Sequence, residues 1–87
     1  MTRDQVFAAI TAERDRQAAK WGGPHSWGTG DCSGDQVPTA VKVIVLTEET
    51  GEVAKAYLDD DADGFRNELV QVAAVAVAIL ESLPPQG

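Results

Sequence analysis

Glutamates interrupt helix faces of this chain that are otherwise apolar. Glu48 and Glu52 lie one helical turn apart, and the apolar side chains preceding them point within about 60° of the same direction. Glu68 begins a similar stripe in a later segment. Like charges repel by about 4 kcal/mol per pair at about 4 Å when the effective dielectric is near 20. The pattern therefore predicts helices that gather these acids around a divalent cation preferring oxygen ligands, Mg²⁺ or Mn²⁺. The two apolar stripes comprise Val41, Ile44 and Val45, and Val72, Val75 and Ile79.

The composition limits the partners of the protein. Residues 1–87 suffice for a single domain, and 7 basic against 14 acidic side chains give a net charge of −7. This charge disfavours attraction to nucleic acid or to an anionic membrane, whereas a nucleotide can bind as a metal complex because the metal reverses the local sign. The longest nearly apolar run, Leu69–Leu83, is too short to span a bilayer. The single cysteine, Cys32, and an N-terminus without a signal-peptide profile favour a cytoplasmic protein.

A first helix is predicted from Thr2 to Lys20, because large side chains recur there at alternating spacings of three and four residues. Arg14 and Gln17 are polar members of this stripe, and they either lie at its edge or face a polar cavity. The stripe comprises Phe7, Ile10, Arg14, Gln17 and Trp21, and the outer faces carry Asp4, Glu13, Asp15, Arg16 and Lys20.

Residues 21–37 are predicted to form an irregular Trp- and Gly-rich loop. Five glycines and a proline in seventeen residues disfavour any regular element. The loop also contains both tryptophans, Trp21 and Trp27, and the only histidine, His25. It either covers a ligand or is a loop held in place by its tryptophans. His25 alone is weak evidence for a metal site, and Cys32 has no partner at zinc spacing.

Two longer helices are predicted in the second half of the chain. Pro38 suits the first turn of a helix that runs to about Leu58, although residues 41–46 have high strand propensity. Gly51 costs this helix about 1 kcal/mol, which close approach of another backbone or of a ligand would explain. The acidic turn 59–64 is expected to cap a third helix that begins at residue 62 or 63 and ends near residue 82.

The third helix is apolar on every side from Leu69 to Leu80, except at Gln71. A helix of this kind needs more partners than a three-helix monomer supplies. The sequence therefore predicts an all-α fold, a small bundle of about three main helices completed by association into a homodimer or homotetramer. The small residues that would allow a second copy to approach are Ala73, Ala74, Ala76 and Ala78.

The acidic residues also carry a resemblance to a known family. Residues Glu48 to Glu52 read E-E-x-x-E and, after fifteen intervening residues, Glu68 to Gln71 read E-x-x-Q. This resembles the EExxE, spacer, ExxD signature of the MazG-like, all-alpha NTP pyrophosphohydrolases. Residues 13–22, ERDRQAAKWG, are similar to the helix and loop that precede the signature in small members of that family. The resemblance covers about residues 6–80 and implies Mg²⁺-dependent hydrolysis of a nucleoside triphosphate to the monophosphate and pyrophosphate, in nucleotide-pool clean-up.

The resemblance also implies roles for the acidic residues. The metal ligands would be Glu48, Glu49, Glu52, Glu68 and Gln71, and either Glu48 or Glu49 would orient or deprotonate the attacking water. Glu49 lies about 100° from Glu48 around the helix. Helical phase therefore favours Glu48, Glu52 and Glu68 as the inward set, with Glu49 at the rim.

The candidates for binding the nucleotide lie in the first helix, the loop and the start of the second helix. Trp21 or Trp27 would stack on the base, as aromatic side chains do in nucleotide sites. The candidate phosphate ligands are Arg14, Lys20 and Lys42, and the candidates for hydrogen bonding an edge of the base are Gln17 and His25.

Gln71 departs from the family pattern, which has Asp at this position. A glutamine offers a metal one neutral oxygen and no charge. Three functions therefore remain open. The protein is a nucleotide pyrophosphohydrolase, a catalytically impaired nucleotide- or protein-binding module of the same fold, or a helical oligomerisation domain with solvent-facing glutamates. The position of the acids on apolar faces opposes the third.

Overall fold

A computed structural model describes residues 1–86, and these residues form three α-helices and one short β-hairpin. The predicted all-α class, with three main helices in a small bundle, is confirmed. The segment 41–46 is helical despite its strand propensity. The elements are α1 (Arg3–Trp21), β1 (Pro24–His25), β2 (Gly28–Thr29), α2 (Thr39–Leu58) and α3 (Ala62–Glu81).

Local side-chain chemistry sets the helix ends. Thr2 and Gln5 form a capping box at the start of α1, in which the Thr2 hydroxyl accepts from the Gln5 amide at 3.1 Å and the Gln5 side chain accepts from the Thr2 amide at 2.8 Å. Asp61 caps α3 by accepting from the Gly64 amide at 2.9 Å, so the capping role predicted for the acidic turn is confirmed. Pro38 was predicted to lie in the first turn of α2. It has an extended ψ of 142° and precedes the helix, which begins one residue later, at Thr39.

The loop between α1 and α2 contains a regular element that the glycine content did not predict. Pro24 pairs with Thr29 and His25 with Gly28 in a two-stranded antiparallel hairpin. Gly28 has a φ of +136°, and a Cβ there would stand 2.9 Å from the Gln36 carbonyl oxygen. A glycine is therefore required where the hairpin meets the end of the loop. The expectation of a wholly irregular segment was wrong, because glycines supply the backbone conformations that a tight hairpin needs and do not only favour irregular structure.

α3 is the central element of the bundle, and both α1 and α2 pack against it. The predicted inward stripe of α3, which begins at Glu68 and continues through Val75, is at least partly shielded along its length. Two assignments on α1 were wrong. Phe7 is exposed rather than buried, and the Glu13 side chain, placed on the outer face, is only 10% exposed. The face of α1 that contacts α3 is thus rotated from the predicted stripe. The buried side chains are Gln17, Val37, Lys42, Ala56, Ala74, Val75 and Ala78.

Large apolar side chains remain on the surface of α2 and α3. Ile44, Leu58 and Leu80 are 63%, 80% and 67% exposed, respectively. The bundle therefore leaves apolar area uncovered on the two helices whose sequences are most hydrophobic. Within residues 1–86, none of the helices has the length and apolar character needed to cross a membrane.

Candidate active site

A cleft of about 490 Å³ lies between α1 and α2, with α3 contributing to its lining and the loop closing one side. Its lining combines acidic and amide side chains, two tryptophans and aliphatic side chains, and on α2 the aliphatic Val41 and Val45 precede Glu49 along one helix face, which separates the acids from the loop that carries Trp27. The predicted site residues that line the cleft are Gln17, Lys20, Trp21, Trp27, Glu48, Glu49 and Gln71. Those that do not are Arg14, His25, Lys42, Glu52 and Glu68.

Gln71 joins two acids from different helices. With its amide nitrogen turned towards them, Gln71 donates to Glu49 Oε2 at 3.1 Å and to Glu68 Oε2 at 3.0 Å. Its backbone carbonyl in turn accepts from Gln17 Nε2 at 3.3 Å. Gln71, a residue of α3, therefore links Glu49 of α2, Glu68 of α3 and Gln17 of α1.

The surroundings of Glu49 perturb its ionisation. Burial, and then the negative charges of neighbouring glutamates, raise the pKa of Glu49 above its ordinary value. A carboxylate with a raised pKa is a better proton acceptor near neutral pH. The contributing neighbours, in decreasing order, are Glu68, Glu48, Glu52 and Glu13.

The predicted inward set of acids is corrected on α2. Glu48 and Glu52 are exposed, whereas Glu49, assigned to the rim, is half-buried. The prediction took the direction of α2 from Ile44, which faces solvent. The shielded face runs instead through Lys42, Val45, Glu49, Val53 and Ala56, whose spacings of three and four residues define a different stripe. Glu68 is half-buried, as predicted.

The donor set at this end of the cleft fits a hard divalent cation. It combines the carboxylate of Glu49 and the amide oxygen of Gln71, which both line the cleft, with the carboxylate of Glu68, which lies outside the lining but meets Gln71; Glu48 borders the same cleft. The raised pKa of Glu49 reflects negative charge that a cation would offset. In the arrangement described here, however, the Gln71 amide nitrogen spans the two acids, and within residues 1–86 no three His, Cys, Asp or Glu side chains are grouped as metal ligands. Binding would require the Gln71 amide to turn.

Three aromatic rings form a cluster in the loop, and two of them reach the cleft. The His25 ring stacks on Trp27 with centroids 4.5 Å apart and planes 11° apart, and it lies 5.7 Å from Trp21. His25 Nε2 donates to the Trp21 carbonyl at 2.8 Å. His25 therefore holds the tryptophans in place rather than lining the cleft. Lys20 Nζ lies 4.9 Å from the Trp21 ring centroid, which places a cation beside the aromatic wall.

The remaining polar candidates have different surroundings. Gln17 is buried and lines the cleft rather than lying at the edge of the α1 stripe. Arg14 instead pairs with Asp31 and Glu81, which commits its guanidinium to the framework. Lys42 is only 5% exposed, and it is not part of the cleft lining. Neither geometry presents a cation to a phosphate in the cleft.

Sequence reasoning missed three polar residues of the cleft lining, Arg16, Asp31 and Cys32. Arg16 is one turn before Lys20, and this spacing was the available signal for it. Asp31 and Cys32 belong to the loop, whose path no periodicity predicts. Burial, followed by the charge of Asp31, raises the pKa of the Cys32 thiol, which is thereby kept protonated.

No protein-family model, curated protein or solved structure that was compared with the chain matches it. The functional conclusion therefore rests on the chemistry of the cleft. A wall with paired acids, a wall with exposed indole rings and an aliphatic floor suit a ligand that combines a flat ring with an anionic, metal-binding group.

Proposed function

We propose that this protein is a Mg²⁺-dependent nucleoside triphosphate pyrophosphohydrolase of the MazG-like type. The observation that carries the proposal is the pairing of Glu49 and Glu68 through Gln71 at one end of a cleft whose other wall holds Trp21 and Trp27. Nucleoside triphosphates provide both chemical features, because a base stacks on aromatic rings and a triphosphate binds hard cations.

In this proposal the base stacks on Trp21 or Trp27, and the α-phosphate lies near the acids. Lys20, beside Trp21, borders the path between the two ends. The aliphatic floor excludes water from the sugar and base. The lining offers many apolar contacts and few donors, so the residues named here fix the orientation of the nucleotide more than the identity of its base.

Glu49 is the proposed general base. It accepts a proton from a water whose oxygen attacks the α-phosphorus in line, while the bond between the α-phosphorus and the bridging oxygen to the β-phosphate breaks. The half-buried position of Glu49, joined to Glu68 through Gln71, favours this role over its exposed neighbour Glu48. Pyrophosphate leaves with the bridging oxygen, and the monophosphate retains the oxygen of water.

Mg²⁺, with Mn²⁺ as a substitute, would bind phosphate oxygens and offset the charge that develops as the bond breaks. Glu68, the side-chain oxygen of Gln71 and the Glu49 oxygen that does not accept the proton would hold it, with Glu48 and Glu52 at the solvent side. Glu52 lies outside the cleft lining, so it would act on the site only through its negative charge near Glu49.

One observation favours a second candidate, a nucleotide-binding module without turnover. The two N–H groups of the Gln71 amide each donate to one carboxylate, so the acid pair is bridged by hydrogen bonds from a neutral group that supplies no charge. A site of this kind binds a nucleotide by its base and sugar but activates no water.

Pyrophosphate release distinguishes the two candidates. We expect turnover of canonical or modified NTPs or dNTPs with Mg²⁺ or Mn²⁺, and its loss in Glu49→Gln and Glu68→Gln. Asp15→Asn, which removes an exposed acid outside the cleft lining, is the matched control and should retain activity. Folded, metal-supplied wild-type protein that binds nucleotides in calorimetry but releases no pyrophosphate would establish the binding module instead.

We also infer that the protein associates with a second copy of itself, as a homodimer or homotetramer. Within residues 1–86 no large side chain is fully buried, and Ile44, Leu58 and Leu80 remain exposed on α2 and α3. Covering such side chains contributes about 1.5–3 kcal/mol each. Sedimentation equilibrium should therefore give a mass above that of the monomer, and Leu80→Glu should lower it.

A further inference from the structure

Arg16 and Gln71 each line a second cavity as well as the cleft, so the two cavities adjoin at these residues. The second cavity, which we call the arginine cavity, has a volume of about 490 Å³ and lies between α1 and the N-terminal half of α3. Its polar lining consists of Glu13, Arg16, Arg66, Asn67 and Gln71. The arginine cavity therefore adjoins the cleft at Gln71, the residue that contacts Glu49 and Glu68.

The arginine cavity concentrates positive charge in a chain whose net charge is −7. Two guanidinium groups line it with one carboxylate, that of Glu13. Arg16 Nε donates to the two Glu13 oxygens at 2.8 and 2.6 Å, so this carboxylate is already neutralised. Within residues 1–86, Arg66 makes no ion pair. The uncompensated side-chain charge of the cavity is that of Arg66.

An oxyanion with several oxygens suits this lining. The planar guanidinium of Arg66 offers paired donors to such a group, and the Asn67 amide offers another. The Arg16 side chain is 52% exposed even though Glu13 holds it, so part of its donor set faces solvent. Arg14 and Lys42 are unsuited to the same task, because one is held by two acids and the other is buried.

We propose that the arginine cavity binds the β- and γ-phosphates of the substrate and the pyrophosphate product. The inference rests on the proposed function, since it places the α-phosphate at the acid pair. From that point the base extends along the cleft towards the tryptophans, and the rest of the triphosphate extends past Gln71 in the opposite direction. The bond that breaks then lies at the junction of the two cavities.

Binding of free pyrophosphate and of a nucleoside monophosphate, each measured by calorimetry with Mg²⁺ present, tests this placement without requiring turnover. In Arg66→Ala we expect the affinity for pyrophosphate to fall about tenfold, the effect of losing one charge-assisted contact. The affinity for the monophosphate should not change, because its base and phosphate occupy the cleft. Arg66 is exposed, so its removal spares the core.

Arg3→Ala is the matched control, since it removes an exposed arginine of α1 that lines neither cavity. An equal loss of pyrophosphate affinity in Arg3→Ala and Arg66→Ala, an equal loss for both ligands, or no binding of pyrophosphate to the wild type would overturn the proposal. Failure of the catalytic function is separately visible. In that case wild-type protein releases no pyrophosphate from any nucleotide, whereas Arg66-dependent binding of added pyrophosphate persists.

Discussion

Arg14 Nη1 donates to Asp31 Oδ2 at 2.7 Å, and this pair joins the loop to α1. The two side chains are only 11% and 10% exposed. Arg14 Nε also donates to Glu81 Oε1 at 2.8 Å, which brings the end of α3 into the same contact. Since Asp31 and Trp27 belong to one loop and both line the cleft, the ion pair determines where the cleft is closed.

Arg14→Ala should destabilise the protein by about 3 kcal/mol, because it leaves the shielded Asp31 carboxylate without its cation. Urea unfolding measures this difference. Lys55→Ala is the control, since it breaks an exposed, solvent-screened helix pair with Asp59 and should have a much smaller effect. Equal effects of the two substitutions would mean that the Arg14 pair contributes no more than a surface pair.

The contribution of Asp31 to stability should depend on pH. Burial disfavours its charge, but hydrogen bonds from the Ser33 hydroxyl and amide and the charge of Arg14 outweigh burial and lower the pKa of Asp31. A lowered folded-state pKa adds stability above the ordinary value of 3.8, and this stability is lost as the pH falls through the lower, folded-state pKa. The free-energy difference between wild type and Asp31→Asn should therefore shrink below about pH 4. A difference independent of pH would contradict this assignment.

Glu49→Gln should raise the thermal midpoint of the metal-free protein at neutral pH while removing the proposed catalytic base. The raised pKa means that ionisation of Glu49 opposes folding once the pH exceeds its ordinary value. A neutral amide of the same shape removes that cost. Calorimetric melting in the presence of a chelator measures the change. Glu48→Gln, at an exposed position, should have a smaller effect, and the reverse order would show that Glu49 is not the shielded acid.

Gln71→Asp should strengthen Mg²⁺ binding by about tenfold or more, because a carboxylate replaces a neutral oxygen donor. The same substitution should destabilise the metal-free protein, since the donors to Glu49 and Glu68 are lost and a third negative charge joins them. Gln71→Asn is the control, because the side chain of Asn is as long as that of Asp but carries no charge. Calorimetric titration with Mg²⁺ compares the three proteins. Equal affinities in Asp and Asn variants would place Gln71 outside the cation site.

Gly51→Ala should stabilise the protein by about 0.5–1 kcal/mol without changing nucleotide affinity. A Cβ at this exposed position of α2 meets no atom within 4 Å, so neither backbone contact nor crowding explains the glycine. Urea unfolding measures the gain, and nucleotide titration measures affinity. A loss of affinity would instead show that a bound nucleotide approaches the backbone here.

The sequence alone predicted much of the fold because the signals for it are local. The capping residues Thr2 and Asp61 and the spacing of apolar side chains act within one helical turn, so the number, extent and order of the helices follow from them. The choice of acidic residues likewise came from their spacing, and Glu49, Glu68 and Gln71 do come together.

Only the tertiary structure decided which way each helix faces and which charges are committed to one another. A helix with apolar residues on several sides can bury more than one stripe, and packing on α3 selected the face of α2 that carries Glu49 rather than Glu48. The partners of Arg14 are 17 and 67 residues away along the chain, beyond the reach of any helical period. Local periodicity thus determines the elements, whereas the contacts between them determine which polar groups meet in the cleft.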